Sequence, residues 1–335
     1  MSTNMENLEP VVSVSNLDVV FNTSKGPLQA IHSTNWSVAP GETFVILGES
    51  GAGKSVSVHA VSGLLPNTAH VTGSIKFEGK EILGANQEEL RKLRAEKIGV
   101  IFQDPLTSLD PCFKVGAQIA EIFTVHKGMS KSDAWDQAVN LLDSVQIPDP
   151  KRRADQFSHQ LSGGQRQRVV IAMAIALNPT LLIADEPTTA LDASVQVAVL
   201  ELIQKLRNER KMAVVLITHN IGVAASIADR IAIMYAGRIV ETGTAKEVLE
   251  SPKHPYTQAL LSSMPRIGSS SAERLTTISG TPPSLATIPK GCAFHPRCTR
   301  AIEKCKTDVP VLSSTQATKI SQHSFACHNP KESNQ

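Results

Sequence analysis

The chain has 335 residues, of which 41% are hydrophobic and 19% charged, and its 33 Lys and Arg against 31 Asp and Glu leave a formal net charge of +2. This composition can bury a substantial core and excludes global disorder and coiled coil, and the near-neutral charge argues against a purely electrostatic nucleic-acid binder. The longest apolar run, Val169–Leu177, and the acidic, polar first ten residues resemble neither a membrane span nor a signal peptide, so we expect a soluble cytosolic chain of one or two domains.

Short β-branched runs alternate with helical stretches from Val11 to about Leu249, a pattern typical of an α/β fold. The predicted strands are Val11–Val14, Thr43–Leu47, Ser74–Phe77, Ile98–Phe102, Leu181–Ala184, Ala213–Ile217 and Arg230–Met234. The predicted helices are Ser55–Leu65, Val115–Val125, Lys131–Val145, Gly164–Leu177, Ser194–Asn208 and Ala245–Glu250. Because residues from about 104 to 161 lack β-branched runs, they predict a mainly helical insertion.

A glycine-rich segment, Gly48–Ser55, follows an apolar strand and opens a helix with the spacing G-x-x-x-x-G-K-S. Glycines allow the backbone to turn so that its N–H groups point at phosphate oxygens, which the positive end of the helix also attracts. In such a loop the lysine reaches the β- and γ-phosphates and the final serine ligates Mg²⁺. The residues that we expect to bind the nucleotide are Gly48, Ser50, Gly51, Gly53, Lys54, Ser55 and Val56.

A second apolar strand, Leu181–Ala184, ends in two carboxylates, Asp185 and Glu186, about 130 residues after the glycine-rich segment. An aspartate at such a strand tip can hold the Mg²⁺ sphere, and the adjacent glutamate can polarise an attacking water. We therefore predict Asp185 as a metal-site residue and Glu186 as the catalytic base.

The composition changes after Met264, where residues 265–290 are rich in Pro, Gly, Ser and Thr and predict a linker. Four cysteines follow with the spacing C-x5-C-x6-C-x21-C: Cys292, Cys298, Cys305 and Cys327. Four thiolates on loops suit a soft metal centre, so an iron–sulfur cluster, zinc and free thiols are the alternatives. Cys112 stands apart from this group, and we expect it to be a packing residue.

The segment Leu161-Ser162-Gly163-Gly164-Gln165 resembles the LSGGQ signature of ATP-binding-cassette (ABC) ATPases. Further resemblances to the motifs of that family follow the expected order: Phe21 as the aromatic that stacks on adenine, Gln103 as the Q-loop, Asp192 in the D-loop and His219 as the switch histidine. Phe21 could also be an ordinary core side chain. The resemblance implies an α/β P-loop nucleotide-binding domain of ABC type with a helical subdomain.

The same resemblance implies how these residues act on ATP and Mg²⁺. Gln103 would join Ser55 and Asp185 around the metal, and His219 would sense the γ-phosphate beside the catalytic Glu186. Two subunits would enclose two nucleotides, so one group of residues would serve the ATP of the partner subunit: Ser162, Gly163, Gly164, Gln165 and Asp192.

Longer stretches are similar to the ATPases of dipeptide/oligopeptide permeases: Ile101–Pro111, Ala184–Asp192, Met234–Glu241, His254–Leu261 and Gly291–Cys298. The likeness covers about Val11 to Pro330 and implies ATP hydrolysis that drives peptide import. It implies a [4Fe–4S] cluster at the four tail cysteines, with zinc as the second choice. It also implies a second, paralogous ATPase subunit, two membrane permeases and an extracytoplasmic peptide-binding protein, with the chain peripheral on the cytoplasmic face of the bacterial inner membrane.

The resulting organisation is an ABC ATPase domain over residues 1–264 with its helical subdomain at about 104–161, a linker over 265–290 and a cysteine-containing, metal-binding extension over 291–335. We expect residues 103–114 to dock a permease. We expect the tail metal centre to have a structural or sensing role and none in hydrolysis, so that no residue of the ATP site depends on it. A nickel or other small-solute importer remains an alternative. A soluble cassette ATPase acting on nucleic acid is the other, but such proteins usually carry two cassettes or a long coiled coil, which do not fit into 335 residues.

Overall fold

The computed structural model describes residues 9–189, 191–263, 278–314 and 323–331, with the backbone alone at Leu106. The chain forms two compact units. The first unit contains the described residues of 1–11, 38–42 and 84–217, and the second those of 12–37, 43–83 and 218–335. No helix in the described ranges is long and apolar enough to cross a membrane.

The strands and helices have the following bounds. The strands are β1 Val12–Thr23, β2 Gly26–Val38, β3 Thr43–Leu47, β4 Ala69–Phe77, β5 Lys80–Glu81, β6 Ile98–Ile101, β7 Leu181–Asp185, β8 Ala213–Thr218, β9 Arg230–Tyr235, β10 Arg238–Thr244, β11 Ser313–Ser314 and β12 Ser324–Phe325. The helices are α1 Lys54–Ser62, α2 Gln87–Glu96, α3 Pro105–Ser108, α4 Val115–Lys127, α5 Lys131–Ser144, α6 Pro150–Ala154, α7 Gly163–Ile175, α8 Ala193–Arg210, α9 Ile221–Ile227, α10 Ala245–Glu250, α11 Pro255–Ser262 and α12 Lys304–Thr307. Short 3₁₀ turns occupy Ser158–Gln160 and His295–Arg297.

The first unit is built around three parallel strands in the order β8-β7-β6, with Ile98 opposite Leu181 and Leu181 opposite Ala213. Both β7 and β8 are buried along their whole length, as expected for parallel strands covered on both faces. Helix α7 packs so closely on β6 that a Cβ at Gly99 would lie 2.3 Å from the carbonyl oxygen of Ala174. Because parallel strands end at one edge, the residues after β6 and β7 lie side by side.

The second unit contains an antiparallel sheet in the order β2-β1-β4-β5 and a group of strands in the order β11-β12-β10-β9-β3. In the latter, β3 and β9 are parallel, whereas β9, β10, β12 and β11 pair antiparallel. All five residues of β3 are buried, and this strand leads through a glycine-rich loop into α1. The two short strands of the tail extend this group, because β12 pairs with β10 and β11 pairs with β12.

Every strand and helix predicted from the sequence is present, and β3 and α10 have the predicted bounds. The elements that are present but were not predicted individually are β2, β5, β10, β11, β12, α2, α3, α6, α9, α11 and α12. Helix α2 shows the reason, because it buries none of its residues and consists mostly of charged side chains, so few apolar positions mark it as part of a core.

Candidate functional site

The loop Gly48–Gly53 joins β3 to α1 in a conformation that needs glycine. Gly51 and Gly53 have φ angles of 77° and 98°, in the left-handed region. A Cβ at Gly48 would lie 2.3 Å from the carbonyl oxygen of Met234 in β9, so the loop can lie against that strand only without a side chain there. Helix α1 begins at Gly53 without a side-chain cap from the described residues, and its positive end suits a phosphate.

The Lys54 ammonium lies over this loop. Its Nζ donates hydrogen bonds to the carbonyl oxygens of Gly48 and Glu49, at 2.9 and 3.0 Å, and the side chain is buried. Ser55 and Val56 follow in the first turn of α1 and are half-buried. The loop therefore combines turned backbone, a helix N-terminus and one fixed cation, which together form an anion site.

Phe21 lies in β1 opposite Ala69 of β4. Its side chain is half-buried and is not one of the core side chains of the second unit. An aromatic ring with an accessible face can stack on a base.

Gln103 and Glu186 meet at the edge where β6 and β7 end in the first unit. Gln103 Nε2 donates to Glu186 Oε2 at 3.2 Å, and Thr189 Oγ1 donates to the same oxygen at 3.0 Å. Glu186 has a φ of 47°, which is unusual for a residue with a side chain and typical of functional sites. Its neighbour Asp185 is buried at the tip of β7. The two hydrogen bonds hold the Glu186 carboxylate in a defined orientation, next in sequence to the buried carboxylate of Asp185.

The segment that resembles the signature motif starts helix α7 with a capping box. Gln165 N–H donates to Ser162 Oγ at 3.3 Å, and Ser162 N–H donates to Gln165 Oε1 at 3.1 Å. A Cβ at Gly164 would lie 2.6 Å from Val195 Cγ1, whereas at Gly163 the nearest atom would be 3.6 Å away. Ser162 itself is exposed, so the capped start of the helix faces solvent in the single chain.

Asp192 caps the next helix of the same unit, α8. Its Oδ1 accepts hydrogen bonds from Ser194 Oγ at 2.6 Å and from Val195 N–H at 3.0 Å. These hydrogen bonds, that of the Ser194 hydroxyl first, lower the pKa of the exposed Asp192 carboxyl. The side chain is therefore an anion engaged in shaping the turn before α8.

His219 follows β8 and is exposed. The next residue, Asn220, caps α9 by accepting hydrogen bonds from the N–H groups of Gly222 and Val223, at 2.8 and 3.4 Å. An aspartate at this position could accept the same bonds. The second unit thus carries Phe21, the phosphate loop and His219, and the first unit carries Gln103, the two strand-end carboxylates, Asp192 and the signature segment.

The four tail cysteines lie in the second unit and are at most partly exposed. Cys292 N–H donates to the carbonyl oxygen of Cys305 at 2.9 Å, which joins two of their segments. Burial, and to a smaller extent the neighbouring thiols, raise the pKa of the Cys292, Cys298 and Cys327 thiols, that of Cys327 to about 11. Within the described residues, no group of three or more His, Cys, Asp or Glu side chains is arranged to hold a metal ion.

Cys112 is exposed, so the prediction that it packs in the interior was wrong. It lies in the segment between α3 and α4, where its N–H donates to Asp110 Oδ1 at 2.8 Å. The local turn, rather than apolar packing, accounts for its position.

Sequence reasoning also missed a contact between the phosphate loop and the tail. Arg297, which precedes Cys298, donates two hydrogen bonds to the carboxylate of Glu49 in the loop. That no residue of the ATP site depends on the metal centre of the tail stays a prediction, but this pair joins the tail to the residue after Gly48. No local pattern could have revealed this pair, because 248 residues separate its members.

A phosphate loop between β3 and α1, an oriented carboxylate at the end of β7 and a capped glycine-rich helix together define an ABC-type ATPase. Two family models match the chain: ABC transporter over residues 31–189, and oligopeptide/dipeptide transporter, C-terminal region, over residues 240–305. The chain belongs to the ABC transporter ATP-binding proteins that carry this C-terminal region.

Relatives and solved structures agree with this placement. The oligopeptide transport ATP-binding protein OppD of Salmonella typhimurium is 47% identical over 322 residues, which cover 96% of this chain and 94% of the relative. OppD of Bacillus subtilis is 50% identical over 88% of this chain and 82% of its own length. A putative peptide import ATP-binding protein of Brucella melitensis is 48% identical over 91% of this chain and 94% of its own.

The cassette fold is confirmed by solved structures. The dimeric ATP-binding cassette MJ0796 in a post-hydrolysis state, bound to ADP and Pi, has a TM-score of 0.63 at 29% identity and covers 70% of this chain and 98% of its own. CbiO1 of Clostridium perfringens, part of an ABC transporter complex, has a TM-score of 0.62 at 30% identity. The match covers 72% of this chain and 92% of CbiO1.

Proposed function

We propose that this chain binds and hydrolyses ATP to drive import of dipeptides or oligopeptides through membrane subunits encoded separately. The observation that carries the proposal is the continuity of an ABC cassette with the C-terminal region typical of oligopeptide/dipeptide transporters. Relatives named as oligopeptide transport ATP-binding proteins match over nearly the whole chain, not over the cassette alone.

In this proposal the second unit binds the nucleotide. Phe21 stacks on adenine, Lys54 binds the β- and γ-phosphates, and His219 senses the γ-phosphate. The backbone that cradles the phosphates is that of Gly48, Ser50, Gly51, Gly53, Ser55 and Val56. Support comes from the left-handed glycines and the fixed ammonium of this loop.

Glu186 acts as the general base that polarises the attacking water. Its support is the hydrogen bonds from Gln103 and Thr189, which orient the carboxylate. For Mg²⁺ we propose the hydroxyl of Ser55, the carboxylate of Asp185 and the amide oxygen of Gln103. Such oxygen donors suit this hard cation, which when bound neutralises developing phosphate charge.

The signature residues Ser162, Gly163, Gly164 and Gln165, together with Asp192, act on the nucleotide held by a second ATPase subunit, for which we propose a paralogue. Ser162 and Asp192 are exposed in the single chain and the other three residues are partly exposed, which supports a role at a surface that a partner covers. A helix N-terminus with an exposed hydroxyl also suits a γ-phosphate.

We propose residues 103–114 as the surface that docks a membrane permease. Support comes from two aromatic side chains at its ends, because Phe102 is 39% exposed and Phe113 is 57% exposed. Exposed aromatic rings are typical anchors of protein interfaces. In the complete importer the chain lies peripherally on the cytoplasmic face of the inner membrane, with two permeases and a peptide-binding protein outside.

For the domain organisation we propose the boundaries given above, with the ATPase domain over 1–264 and the extension over 291–335; most of the linker falls outside the described residues. We further propose that Cys292, Cys298, Cys305 and Cys327 bind a [4Fe–4S] cluster, with zinc as the second candidate. Support comes from the four-thiol donor set and from the backbone hydrogen bond that joins two of its segments.

The metal proposal has a direct test. Protein purified without oxygen should be brown and contain about four irons per chain. A colourless protein with one stoichiometric zinc would replace the cluster by zinc, and four freely alkylated thiols without metal would contradict both candidates.

The transport proposal is tested by purification from membranes followed by reconstitution in liposomes. Two permeases and a second ATPase should co-purify, and an oligopeptide with its binding protein should stimulate ATP hydrolysis, which Glu186→Gln should abolish. Stimulation by Ni²⁺ instead of peptide would favour a small-solute importer, and co-purified RNA would favour an ATPase acting on nucleic acid.

A further inference from the structure

The second residue of the phosphate loop, Glu49, is held by two residues from the C-terminal part of the second unit. Its N–H donates to Tyr256 Oη at 3.0 Å. Its carboxylate accepts a bidentate pair from Arg297, with Nη1 to Oε2 at 2.8 Å and Nη2 to Oε1 at 3.1 Å. Two parallel, charge-assisted hydrogen bonds fix both the position and the plane of a carboxylate.

This ion pair is not an ordinary surface salt bridge. The Arg297 side chain is only 5% exposed and that of Glu49 23% exposed. Surface pairs contribute little because water screens them and both side chains lose freedom, whereas removal of one partner of a buried pair leaves an uncompensated charge. The Arg297–Glu49 pair is therefore expected to have a measurable effect when either partner is changed.

The Arg297 guanidinium is itself held rigidly. Its Nε donates to the carbonyl oxygen of Ser279 at 3.0 Å, and Nη1 donates to Tyr235 Oη at 3.3 Å. It lies 5.9 Å from the ring centroids of Tyr235 and Phe294. The rings of Tyr235, Tyr256 and Phe294 pack against one another with centroids 4.6 to 5.3 Å apart. These contacts fix the Arg297 guanidinium in the orientation in which it donates both hydrogen bonds to Glu49.

Glu49 connects the Arg297 guanidinium to the Lys54 ammonium, which is the proposed phosphate-binding cation. The carbonyl oxygen of Glu49 accepts a hydrogen bond from Lys54 Nζ at 3.0 Å. A shift of Glu49 would therefore move one of the two acceptors that hold the Lys54 ammonium. Arg297 is the last residue of the 3₁₀ turn between Cys292 and Cys298. The backbone of the cysteine segment therefore sets the position of the side chain that holds Glu49.

We propose that Arg297 is a positioning residue for nucleotide binding, which holds the phosphate loop in its binding conformation through Glu49. The inference rests on the proposed binding of ATP at this loop and adds that the C-terminal tail sets the affinity. A purely structural anchor would predict something different: loss of Arg297 would loosen the tail and leave the affinity for nucleotide unchanged.

The test uses the full chain and a fluorescent ATP analogue with Mg²⁺, whose dissociation constant is measured for four proteins: the unchanged chain, Arg297→Gln, Glu49→Gln and the double variant. Each single change should weaken binding roughly tenfold, as expected for loss of a charge-assisted pair. The double variant should bind no more weakly than the weaker single variant, because both changes remove the same interaction. Arg297→Lys should restore part of the affinity, since it keeps the charge without the fork.

Arg300→Gln is the matched control. Arg300 lies in the same tail, two residues after Cys298, and donates to the carbonyl oxygen of Pro330 at 2.9 Å. Its loss should lower the thermal stability of the tail region without changing the dissociation constant.

Wild-type affinity in folded Arg297→Gln, or fully additive losses in the double variant, would overturn the inference. If Arg297→Gln does not fold, Glu49→Gln decides, and unchanged affinity in that variant would overturn the inference equally. Failure of the proposed ATP site is distinguishable, because Lys54→Ala would then also bind the nucleotide normally. Failure of the peptide-import proposal would leave these affinities untouched.

Discussion

The helix starts of α1 and α7 carry similar residues and are built in opposite ways. Glycine and serine stand at both starts: α1 has Gly53 as its N-cap and Ser55 in its first turn, whereas α7 has Ser162 as its N-cap and begins at Gly163. Helix α1 starts from a left-handed glycine with a buried lysine ammonium over its loop, whereas α7 closes its own start with a capping box and leaves Ser162 exposed. The first can bind an anion with groups of its own unit. The second has an exposed, capped start, which agrees with the proposal that it serves a nucleotide held by a partner subunit.

This difference teaches that glycine content alone does not define a phosphate site. At the phosphate loop, glycine is needed because the backbone turns into the left-handed region and lies against β9. At Gly164, glycine is needed because α8 packs against the helix start through Val195. Conformation explains the first requirement and packing the second.

The largest effect is expected from Glu186→Gln, which separates chemistry in the first unit from binding in the second. Loss of the base should slow ATP hydrolysis by the assembled complex on the order of 10²-fold or more, while the affinity for ATP stays near normal. Single-turnover hydrolysis and nucleotide binding, measured on the same preparation, check both parts. Near-normal turnover would show that Glu186 is not the base.

Lys54→Ala should act in the opposite sense, by weakening nucleotide binding. Removal of a charged donor from the loop is expected to lower the affinity for ATP about 10- to 100-fold. Equilibrium titration of the isolated chain measures it. Lys205→Ala, at an exposed surface pair with Glu209, is the control and should bind ATP normally.

Ser162→Ala should reduce hydrolysis only when the partner subunit is present. We expect a loss on the order of tenfold or more in the complex and unchanged ATP affinity in the isolated chain, because the hydroxyl serves the partner's nucleotide. The change also removes a helix cap, at a cost of about 1 kcal/mol. Ser130→Ala removes the equivalent cap of α5 and separates the two effects. If Ser162→Ala abolishes ATP binding by the single chain, the assignment in trans is refuted.

The smallest effect concerns packing at the signature helix. Gly164→Ala should lower the free energy of unfolding by about 1–3 kcal/mol, because the new Cβ would press on Val195. Gly163→Ala has an ordinary 3.6 Å contact and should not destabilise the chain. Denaturant unfolding of both variants measures the difference, and Val195→Ala should rescue Gly164→Ala. Equal stability of the two glycine variants would contradict the packing explanation.

The sequence by itself determined the cassette fold and the motifs from which its site residues are proposed. Fully buried parallel strands such as β3, β7 and β8 read as continuous apolar runs, and each is followed directly by a proposed site residue, so a local pattern was sufficient to find the strand and the candidate together. The half-exposed strand β2 and the polar helix α2 carry no such pattern, because packing across the sheet and capping by Asn86 stabilise them instead. Glu241 in β10 is fully buried, although a charged side chain does not indicate a core position in the sequence.

Only the tertiary structure decided what holds these elements in place. Glu241 is tolerated in the interior because His323 and the N–H groups of Lys253 and His254 all bond its carboxylate. In the same way, Arg297 reaches Glu49 across 248 residues of sequence and connects the tail to the phosphate loop. Periodicity and motifs report short-range order, whereas a paired buried charge depends on two distant positions meeting, which no single stretch of sequence specifies.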